Sequence, residues 1–327
     1  MKKILALLLV LTMVCGFAAC AQPAGNDAEG QTTESTDATV ADKIAAAAEN
    51  PVDTSNVAAA VEDGSFKIGF ILLGDENEGY TYAHIEGIQA MQEALGLSDD
   101  QVICKYNIPE DETCYDTAVD LAEQGCQMIF SNSFSHETYM LQAAAEYPDI
   151  IFLPATGQQA ALCGLDNVVN YFTSIYQSRY VAGVVAGMKL AELMESGEVT
   201  DPKIGYVGAY PYAEVVSGYT AFFLGVQSIV PEAHMEVTYT NSWFDITAEA
   251  EAANSLIADG CVIISQHADS TGAPSACQAA FEDGKTVYCV GYNIDMLSVA
   301  PDVALTSAQN NWGALYTMMV ETAMNGE

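Results

Sequence analysis

The strongest constraint on the fold is an alternation that begins at Lys67, in which short apolar runs are separated by stretches of helical periodicity. Near-continuous apolar runs are typical of parallel strands that helices cover on both faces. The sequence therefore predicts an α/β protein. The predicted strands are Ile68–Leu73, Val102–Tyr106, Met128–Phe130, Ile150–Leu153, Val168–Phe172, Ile204–Val207, Met235–Thr240, Val262–Ser265 and Val287–Val290.

These strands fall into two series, and a long predicted helix, Ile175–Glu195, lies between them. Each series is too long to form one small sheet, so we predict two Rossmann-like lobes. The predicted division is lobe I from 65–172 and 305–327, and lobe II from 173–304. Val303–Ser307 is interpreted as the crossover that returns the chain to lobe I. After a predicted helix, Asn311–Asn325, a returning lobe would need further strands, so we expect the sequence to be a fragment.

The first twenty residues have the features of a bacterial lipoprotein signal peptide. Met1-Lys2-Lys3 is basic, and the apolar run Ile4–Val14 is too short to span a bilayer. Phe17-Ala18-Ala19-Cys20 resembles a lipobox, although Phe17 stands where Leu is usual. We predict cleavage before Cys20 and attachment of lipid to it, which places the protein on the extracytoplasmic face of the cell membrane. The alternative is an ordinary secretory signal.

Residues 21–64 are rich in Ala, Thr, Asp and Glu, and they contain almost no large apolar side chains. Such a segment cannot bury enough surface to fold, so we predict a disordered acidic tether. The whole chain has nine Lys and Arg against forty-four Asp and Glu, and a formal net charge of −35. This charge excludes nucleic acid and anionic membrane surfaces as partners of the folded part.

Nine cysteines raise the question of disulfides. Cys15 lies in the leader and Cys20 is the predicted lipid site, so seven remain, and no Cys-x-x-Cys motif occurs. Several lie in or beside apolar runs, where a thiol behaves as a small hydrophobic side chain. We predict mostly free, buried thiols. The alternative of a disulfide between Cys104 and Cys114 is left open.

The candidate binding site follows from what stands after the predicted strands. Thr240–Asp245 ends one strand and precedes the predicted helix Thr247–Asp259, so Trp243, Phe244 and Asp245 lie at the carboxyl edge of the sheet. Ligands of open α/β sheets bind at that edge. Trp243 is one of only two tryptophans, and its flat ring suits a flat ligand. The alternative is that these rings are ordinary core aromatics.

Other strand ends carry the same mixture of aromatic, amide and carboxylate groups. The complete set of predicted ligand-binding residues is Asn77, Tyr80, Glu86, Phe134, Trp243, Phe244, Asp245, His267, Asp269 and Asn293. This composition indicates a planar, uncharged, hydrogen-bonding ligand held between two lobes.

An enzyme is the rival class, and the sequence argues against it. Ser265, His267 and Asp269 are too close along one strand to form a catalytic triad, and no Gly-x-Ser-x-Gly motif occurs. The His267–Asp269 pair lacks a further Cys or His to complete a metal site, and we expect no metal and no cofactor. Arg179, the only arginine, is expected to form an ion pair beside the hinge. A second alternative, a ligand-sensing receptor domain, would use the same binding residues as a transport protein.

Several blocks of this sequence, in order, resemble the basic membrane protein family, the lipoprotein substrate-binding components of ABC importers that are similar to purine nucleoside receptors. The resemblance covers about Phe66 to Trp312, and the blocks are Gly79–His84, Ile175–Gly183, Pro211–Val215, Asn241–Asp245 and Gln266–Ser270. It implies a type I periplasmic-binding-protein fold, in which two α/β lobes joined by three hinge crossovers close on a ligand. It also implies a purine base or nucleoside as ligand, and an ABC permease and ATPase as partners.

Departures from the family pattern refine the implied ligand. Asn77 stands where the family usually has Asp, and Tyr80 where it has Trp. Nucleoside-binding members hold the ribose diol with an Asp and a Lys, and the matching positions here are Asn293 and Asn310. The segments Trp243–Asp245 and Gln266–Ser270 resemble a subgroup associated with free purine bases such as adenine. We therefore expect a free base in preference to its nucleoside.

Overall fold

A four-stranded parallel sheet forms the first half of this computed structural model, which describes residues 39–49 and 51–327. The elements of this half, in chain order, are α1 (Val40–Ala48), α2 (Ser55–Asp63), β1 (Ile68–Ile71), α3 (Gly79–Leu95), β2 (Val102–Lys105), α4 (Glu112–Glu123), β3 (Met128–Ser131), α5 (His136–Glu146) and β4 (Ile151–Pro154). The strand order is β2-β1-β3-β4. Strands β1, β3 and β4 are buried throughout, as a sheet covered on both faces requires.

A second, five-stranded parallel sheet follows. Its elements are α6 (Ile175–Glu195), β5 (Lys203–Gly208), α7 (Ala213–Gln227), β6 (His234–Tyr239), α8 (Ile246–Ala258), β7 (Ile263–His267), α9 (Gly272–Glu282), β8 (Tyr288–Tyr292), the short 3-10 helix Met296–Ser298, and β9 (Ala304–Ala308). The strand order is β6-β5-β7-β8-β9. Two parallel sheets confirm the predicted α/β class. From here, lobe I means the first sheet with its helices, and lobe II the second.

The last helix, α10 (Trp312–Met324), packs in lobe I. Phe70 of β1 lies in register with Phe130 of β3, their ring centroids are 5.1 Å apart, and both side chains are fully buried. The ring of Tyr316 from α10 contacts this pair edge-on, at 5.2 Å from Phe70. Burial of each such side chain contributes about 1.5–3 kcal/mol, so α10 is held in lobe I by the hydrophobic core.

The prediction of a disordered tether over 21–64 is wrong for its last part. Ser55–Asp63 is a helix, and its Val57 and Ala60 are buried in the core of lobe I. The small Ala and Val side chains of this segment supply too little apolar surface for composition to predict folding. The helix forms because the core of lobe I buries that surface. The first part of the tether, to residue 38, and the predicted signal peptide with Cys20 lie outside the described residues.

One crossover prediction and one strand prediction also need correction. The segment Val303–Ser307, interpreted as a crossover, largely forms β9, which pairs in parallel with β8 and extends lobe II to Ala308. Val168–Phe172 makes only two isolated bridges: Val168 pairs with Phe152 of β4, and Tyr171 pairs with Ala155, the residue after β4. Apolar periodicity indicates burial, but it does not indicate whether a neighbouring strand is available for pairing. It therefore cannot distinguish a paired strand from a buried extended segment.

Two segments connect the lobes in the described part of the chain. Residues 173–174 join lobe I to α6, and residues 309–311 join β9 to α10. The Thr173 hydroxyl donates a hydrogen bond to Asn310 Oδ1, which ties the two crossing segments together. The hinge is therefore a pair of linked short segments.

All seven cysteines after residue 50 are free thiols, and Cys104 and Cys114 are not bonded to each other. Burial raises the pKa of the Cys114 thiol to about 12, which keeps it protonated and unreactive. No helix within residues 39–49 and 51–327 combines the length and the apolar character needed to cross a membrane.

Candidate functional site

A cavity of about 30 Å³ lies between the two lobes, at the carboxyl ends of both sheets. Its walls are Leu73, Tyr80, Asn132, Ser133, Phe134, Thr156, Phe172, Glu214, Trp243, His267, Asp269 and Tyr292. This volume is well below the roughly 300–1,000 Å³ that is usual for small-molecule sites, so the lobes must part to admit a ligand. The position is the edge at which open α/β sheets bind ligands.

The lobe I wall is neutral, and its polar side chains already have partners inside the lobe. The Tyr80 hydroxyl donates to the carbonyl oxygen of Asn132 at 2.8 Å. The Asn132 amide accepts from the Leu73 backbone N–H at 2.8 Å and donates to Thr81 Oγ1 at 3.3 Å. Ser133 donates to Glu110 at 2.6 Å. This wall therefore offers a ligand mainly shape and aromatic surface.

Aromatic rings from both lobes form a continuous row at one side of the cavity. Phe134 of lobe I stacks on Tyr212 of lobe II, with centroids 4.7 Å apart and planes inclined by 23°. Tyr212 stacks in turn on Tyr210 at 5.0 Å, and the edge of Tyr210 contacts Trp243 at the same distance. Trp243 is half-buried. It packs against the lobe II core and also lines the cavity.

The half-buried Glu214 and the buried His267 form a pair in the lobe II wall. His267 Nε2 lies 2.8 Å from Glu214 Oε2. Burial works to raise the pKa of Glu214, but the hydrogen bond from His267 and the nearby charge of Arg179 outweigh it, and the net shift is downward. Burial, assisted by Arg179, lowers the pKa of His267. In this pair the Glu214 carboxylate therefore accepts a hydrogen bond from the Nε2–H of a neutral His267 imidazole.

Arg179 lies directly behind this pair and is 1 % exposed. Its Nη1 donates to the carbonyl oxygen of Gln266 at 2.8 Å, and its guanidinium lies 4.0 Å from the centroid of the Tyr292 ring. Gly218 permits this packing, because a Cβ there would lie 2.8 Å from His267 Nδ1 and 2.9 Å from Arg179 Nε. Arg179 thus supplies the positive charge of the lobe II wall without lining the cavity. The expected ion pair beside the hinge is not among the described contacts.

Asp269 is the second acidic group of the lobe II wall, and it is 8 % exposed. It accepts a hydrogen bond of 2.7 Å from the Asn293 amide. Burial raises the pKa of Asp269 well above its ordinary value, and the negative charges of Glu78 and Glu249 add to this. The neutral acid is therefore favoured, and a neutral acid can donate a hydrogen bond. The cavity thus pairs a carboxylate acceptor, Glu214, with an acid that can donate.

The structure brings five of the ten predicted site residues together in the cavity: Tyr80, Phe134, Trp243, His267 and Asp269. Asn293 lies behind Asp269 and contacts it without lining the cavity. Its αL backbone, with φ of 66°, turns the chain after β8.

The other four predicted residues lie elsewhere. Asn77 bonds to Asp75 at the surface, and Glu86 accepts from the Tyr82 hydroxyl on the exposed face of α3. Phe244 is 40 % exposed and lines a separate outer pocket. Asp245 caps α8, where it accepts from the Ala248 N–H at 2.9 Å. A residue at a strand end serves the loop or the next helix as readily as a ligand, and the sequence does not distinguish these roles.

Sequence reasoning missed Glu214, a charged residue of the lobe II wall. It lies in the first turn of α7, soon after the end of β5, and an acidic residue there is also favoured by the helix dipole. The signal was an acidic side chain just after a strand end, the same signal that singled out Asp269. In the described part of the chain, no group of three or more His, Cys, Asp or Glu side chains could hold a metal ion.

Comparisons with known proteins agree with this geometry. A family profile described as "Bmp: ABC transporter substrate-binding protein PnrA-like" matches residues 67–327. A purine-binding protein of Brucella abortus is 35% identical over 269 residues, which cover 82% of this chain and 71% of that protein. A putative ABC transporter glucose-binding protein of Haloferax volcanii is 30% identical over 277 residues, which cover 84% of this chain and 65% of that protein, slightly under two thirds.

Solved structures support the same fold. A solute-binding protein of an ABC transporter system from Aeropyrum pernix has a TM-score of 0.67 at 16% identity, over 80% of this chain and 71% of that one. A solute-binding protein of the same kind from Conexibacter woesei has a TM-score of 0.60 at 22% identity, over 80% and 81% of the two chains. At these identities the likeness concerns the fold, which is that of periplasmic binding proteins.

Proposed function

This chain belongs to the Bmp family of PnrA-like ABC transporter substrate-binding proteins, and we propose that it binds a free purine base of the adenine type in the inter-lobe cavity and delivers it to a permease. As a member of that family it is a solute-binding component and not an enzyme. The observation that supports this ligand best is the pairing of Glu214 with Asp269 beside the ring of Trp243 in one buried cavity.

The face of the ligand would contact aromatic rings. Trp243 of lobe II provides one surface, and Tyr80 or Phe134 of lobe I provides the other. Stacking of a base on an aromatic side chain contributes about 1–3 kcal/mol. A purine gains from this arrangement because both of its faces are apolar.

The edge of the ligand would be read by the two acidic groups. Adenine presents an exocyclic amine that donates beside ring nitrogens that accept. Glu214 as a carboxylate accepts from the amine, and Asp269 as a neutral acid donates to a ring nitrogen. An edge group left unpaired in a closed cavity costs about 1–3 kcal/mol, so these two residues would set selectivity.

Preference for the base over its nucleoside rests on Asn293 and Asn310. A ribose adds three hydroxyls that need partners. The Asn293 amide nitrogen is already engaged with Asp269, and Asn310 bonds to Thr173 and does not line the cavity. Amides also bind hydroxyls more weakly than charged groups do. A purine nucleoside remains the alternative ligand, and a ligand-sensing receptor the alternative role.

We propose further that the protein is anchored by lipid at Cys20, on the extracytoplasmic face of the cell membrane. The support is the lipobox-like Phe17-Ala18-Ala19-Cys20 after an apolar run. Cys20→Ala should release the protein from the membrane fraction into the soluble or secreted fraction. Retention of the variant on membranes would show that another segment anchors it.

The identity of the natural ligand can be tested without assuming it. The protein is purified from its native membrane without added ligand and denatured, and the released small molecules are identified by mass spectrometry. A free purine base is expected. Release of a nucleoside alone would support the alternative ligand, and release of a hexose would overturn the purine assignment.

A further inference from the structure

A larger chamber adjoins the cavity on the side of the first crossing segment. Its volume is about 580 Å³, and four residues line both spaces: Phe134, Thr156, Phe172 and Glu214. The two spaces therefore meet at shared walls. A ligand longer than a bare base could occupy both at once.

The chamber has an apolar wall with a polar rim. Phe134, Phe172 and Tyr212 supply rings, Pro211 and Ala213 supply further apolar surface, and the side chain of Gln158 stands exposed at the edge. Within residues 39–49 and 51–327, Glu214 is the only charged residue that lines it. This surface suits an apolar or aromatic substituent better than a sugar or a phosphate.

The loop that forms one wall of the chamber is fixed in place by a buried carboxylate. Oε1 of Glu137, a residue only 8 % exposed, accepts from the Gln158 N–H at 2.9 Å, the Gln159 N–H at 2.7 Å and the Asn170 amide at 2.8 Å. Thr156, at the junction, has φ of 57°, which is unusual for a β-branched residue. Strained backbone held by its surroundings is typical of ligand sites.

Glu214 stands where the two spaces meet. Its Oε2 accepts from His267, and its buried Oε1 has no hydrogen-bond partner among residues 39–49 and 51–327. A buried carboxylate oxygen without a donor is costly, so a ligand N–H at this point would be strongly favoured. A substituent on the same nitrogen would then extend towards the chamber.

We infer that the site accepts adenine-type bases whose exocyclic amine carries one apolar or aromatic substituent: the base occupies the cavity, the remaining N–H donates to Glu214, and the substituent occupies the chamber. This inference rests on the proposed function. It names a class of ligand wider than the bare base, and it assigns the chamber residues a role in selectivity.

The test compares three ligands by calorimetry on ligand-stripped protein: adenine, 6-(benzylamino)purine and 6-(dimethylamino)purine. The benzylamino compound should bind at least as tightly as adenine. The dimethylamino compound has no N–H for Glu214 and should bind about ten- to a hundredfold more weakly than the benzylamino compound.

Substitutions in the chamber wall test whether the substituent lies in the chamber. Tyr212→Ala should weaken the benzylamino compound by about three- to tenfold, because one aromatic pair is lost, and should leave adenine unchanged. Tyr115→Ala is the control, since Tyr115 bonds to Glu146 in lobe I and lines neither space. Ala213→Phe, at an exposed position of the chamber wall, should exclude the benzyl group and spare adenine.

The outcomes separate this inference from the proposed function. If adenine fails to bind, the proposed function is overturned and the inference with it. If adenine binds and the benzylamino compound is weaker by more than about a hundredfold, only the inference is overturned. Equal binding of the benzylamino and dimethylamino compounds would overturn the role of Glu214 at the junction.

Discussion

The two walls of the cavity differ in whether their polar groups already have hydrogen-bond partners within the protein. In the lobe I wall, the side chains of Tyr80, Asn132 and Ser133 are hydrogen-bonded within the lobe. In the lobe II wall, Glu214 keeps a carboxylate oxygen without a partner in the described residues. Burial raises the pKa of Asp269 in the same wall well above its ordinary value, which favours the neutral acid.

This difference assigns separate tasks to the lobes. A wall whose hydrogen bonds are satisfied internally is rigid and presents a fixed shape, whereas a wall with open donors and acceptors discriminates among ligands. Lobe I would then provide the surface on which the lobes close, and lobe II would provide recognition. Substitutions in the two walls should therefore have different consequences.

The largest effect is expected for Trp243→Ala in lobe II. Loss of base stacking worth about 1–3 kcal/mol should weaken purine binding by about ten- to a hundredfold in calorimetry. Trp312→Phe is the matched control, because Trp312 is fully buried in lobe I beside His84 and lies outside the cavity. The control should lower stability and keep affinity. Unchanged affinity with a large loss of stability in Trp243→Ala would make Trp243 a core residue.

A smaller effect is expected for Glu214→Gln. A charge-assisted hydrogen bond is about twice as strong as a neutral one, so the affinity for adenine should fall about tenfold. Asp269→Asn should change the affinity little, because an amide keeps the donor that the neutral acid supplies. A greater loss for Asp269→Asn than for Glu214→Gln would reverse the assignment of charge in the lobe II wall.

The lobe I wall should respond in stability and not in affinity. Tyr80→Phe removes the buried hydrogen bond to Asn132 and should lower the free energy of unfolding by about 1 kcal/mol, measured with urea. Purine affinity should be unchanged, since the Tyr80 hydroxyl is already used within lobe I. A loss of affinity in this variant would mean that lobe I also takes part in recognition.

Glu249→Gln should likewise leave the affinity unchanged, and it should change the pH dependence of stability. Glu249 is fully buried beside Ser270, and burial raises its pKa from 4.5 to about 7. The folded protein therefore holds this proton at a higher pH than the unfolded chain does. Relative to the variant, the native protein should lose stability as pH rises from about 4.5 to about 7, and then level off. A difference that is independent of pH would contradict this.

Much of the fold followed from the sequence because strand burial leaves a strong apolar signal. The predicted helix Ile175–Glu195 has the observed bounds, and eight of the nine predicted strands are present, with ends shifted by one or two residues. The ninth, Val168–Phe172, and the crossover that proved to be β9 were misjudged, because pairing depends on neighbours that are distant in the chain.

The site was predictable in position and only in part by residue. Strand ends placed Trp243 and Asp269 at the carboxyl edge, and both line the cavity, since that edge of a parallel sheet is a fixed feature of such folds. The roles of Asp245 as a helix cap and Glu214 as a cavity wall depend on loop geometry of a few ångströms. The sequence carries no direct signal of that geometry.

The central claim, that lobe II is built to recognise a free purine base, is tested most directly by calorimetry on ligand-stripped protein. Adenine, hypoxanthine and guanine are compared with adenosine, inosine and guanosine under one condition. We expect at least one free base, with adenine the foremost candidate, to bind more tightly than every nucleoside. If adenosine, inosine or guanosine binds more tightly than every free base, Asn293 and Asn310 do not exclude ribose, and the protein is a nucleoside receptor.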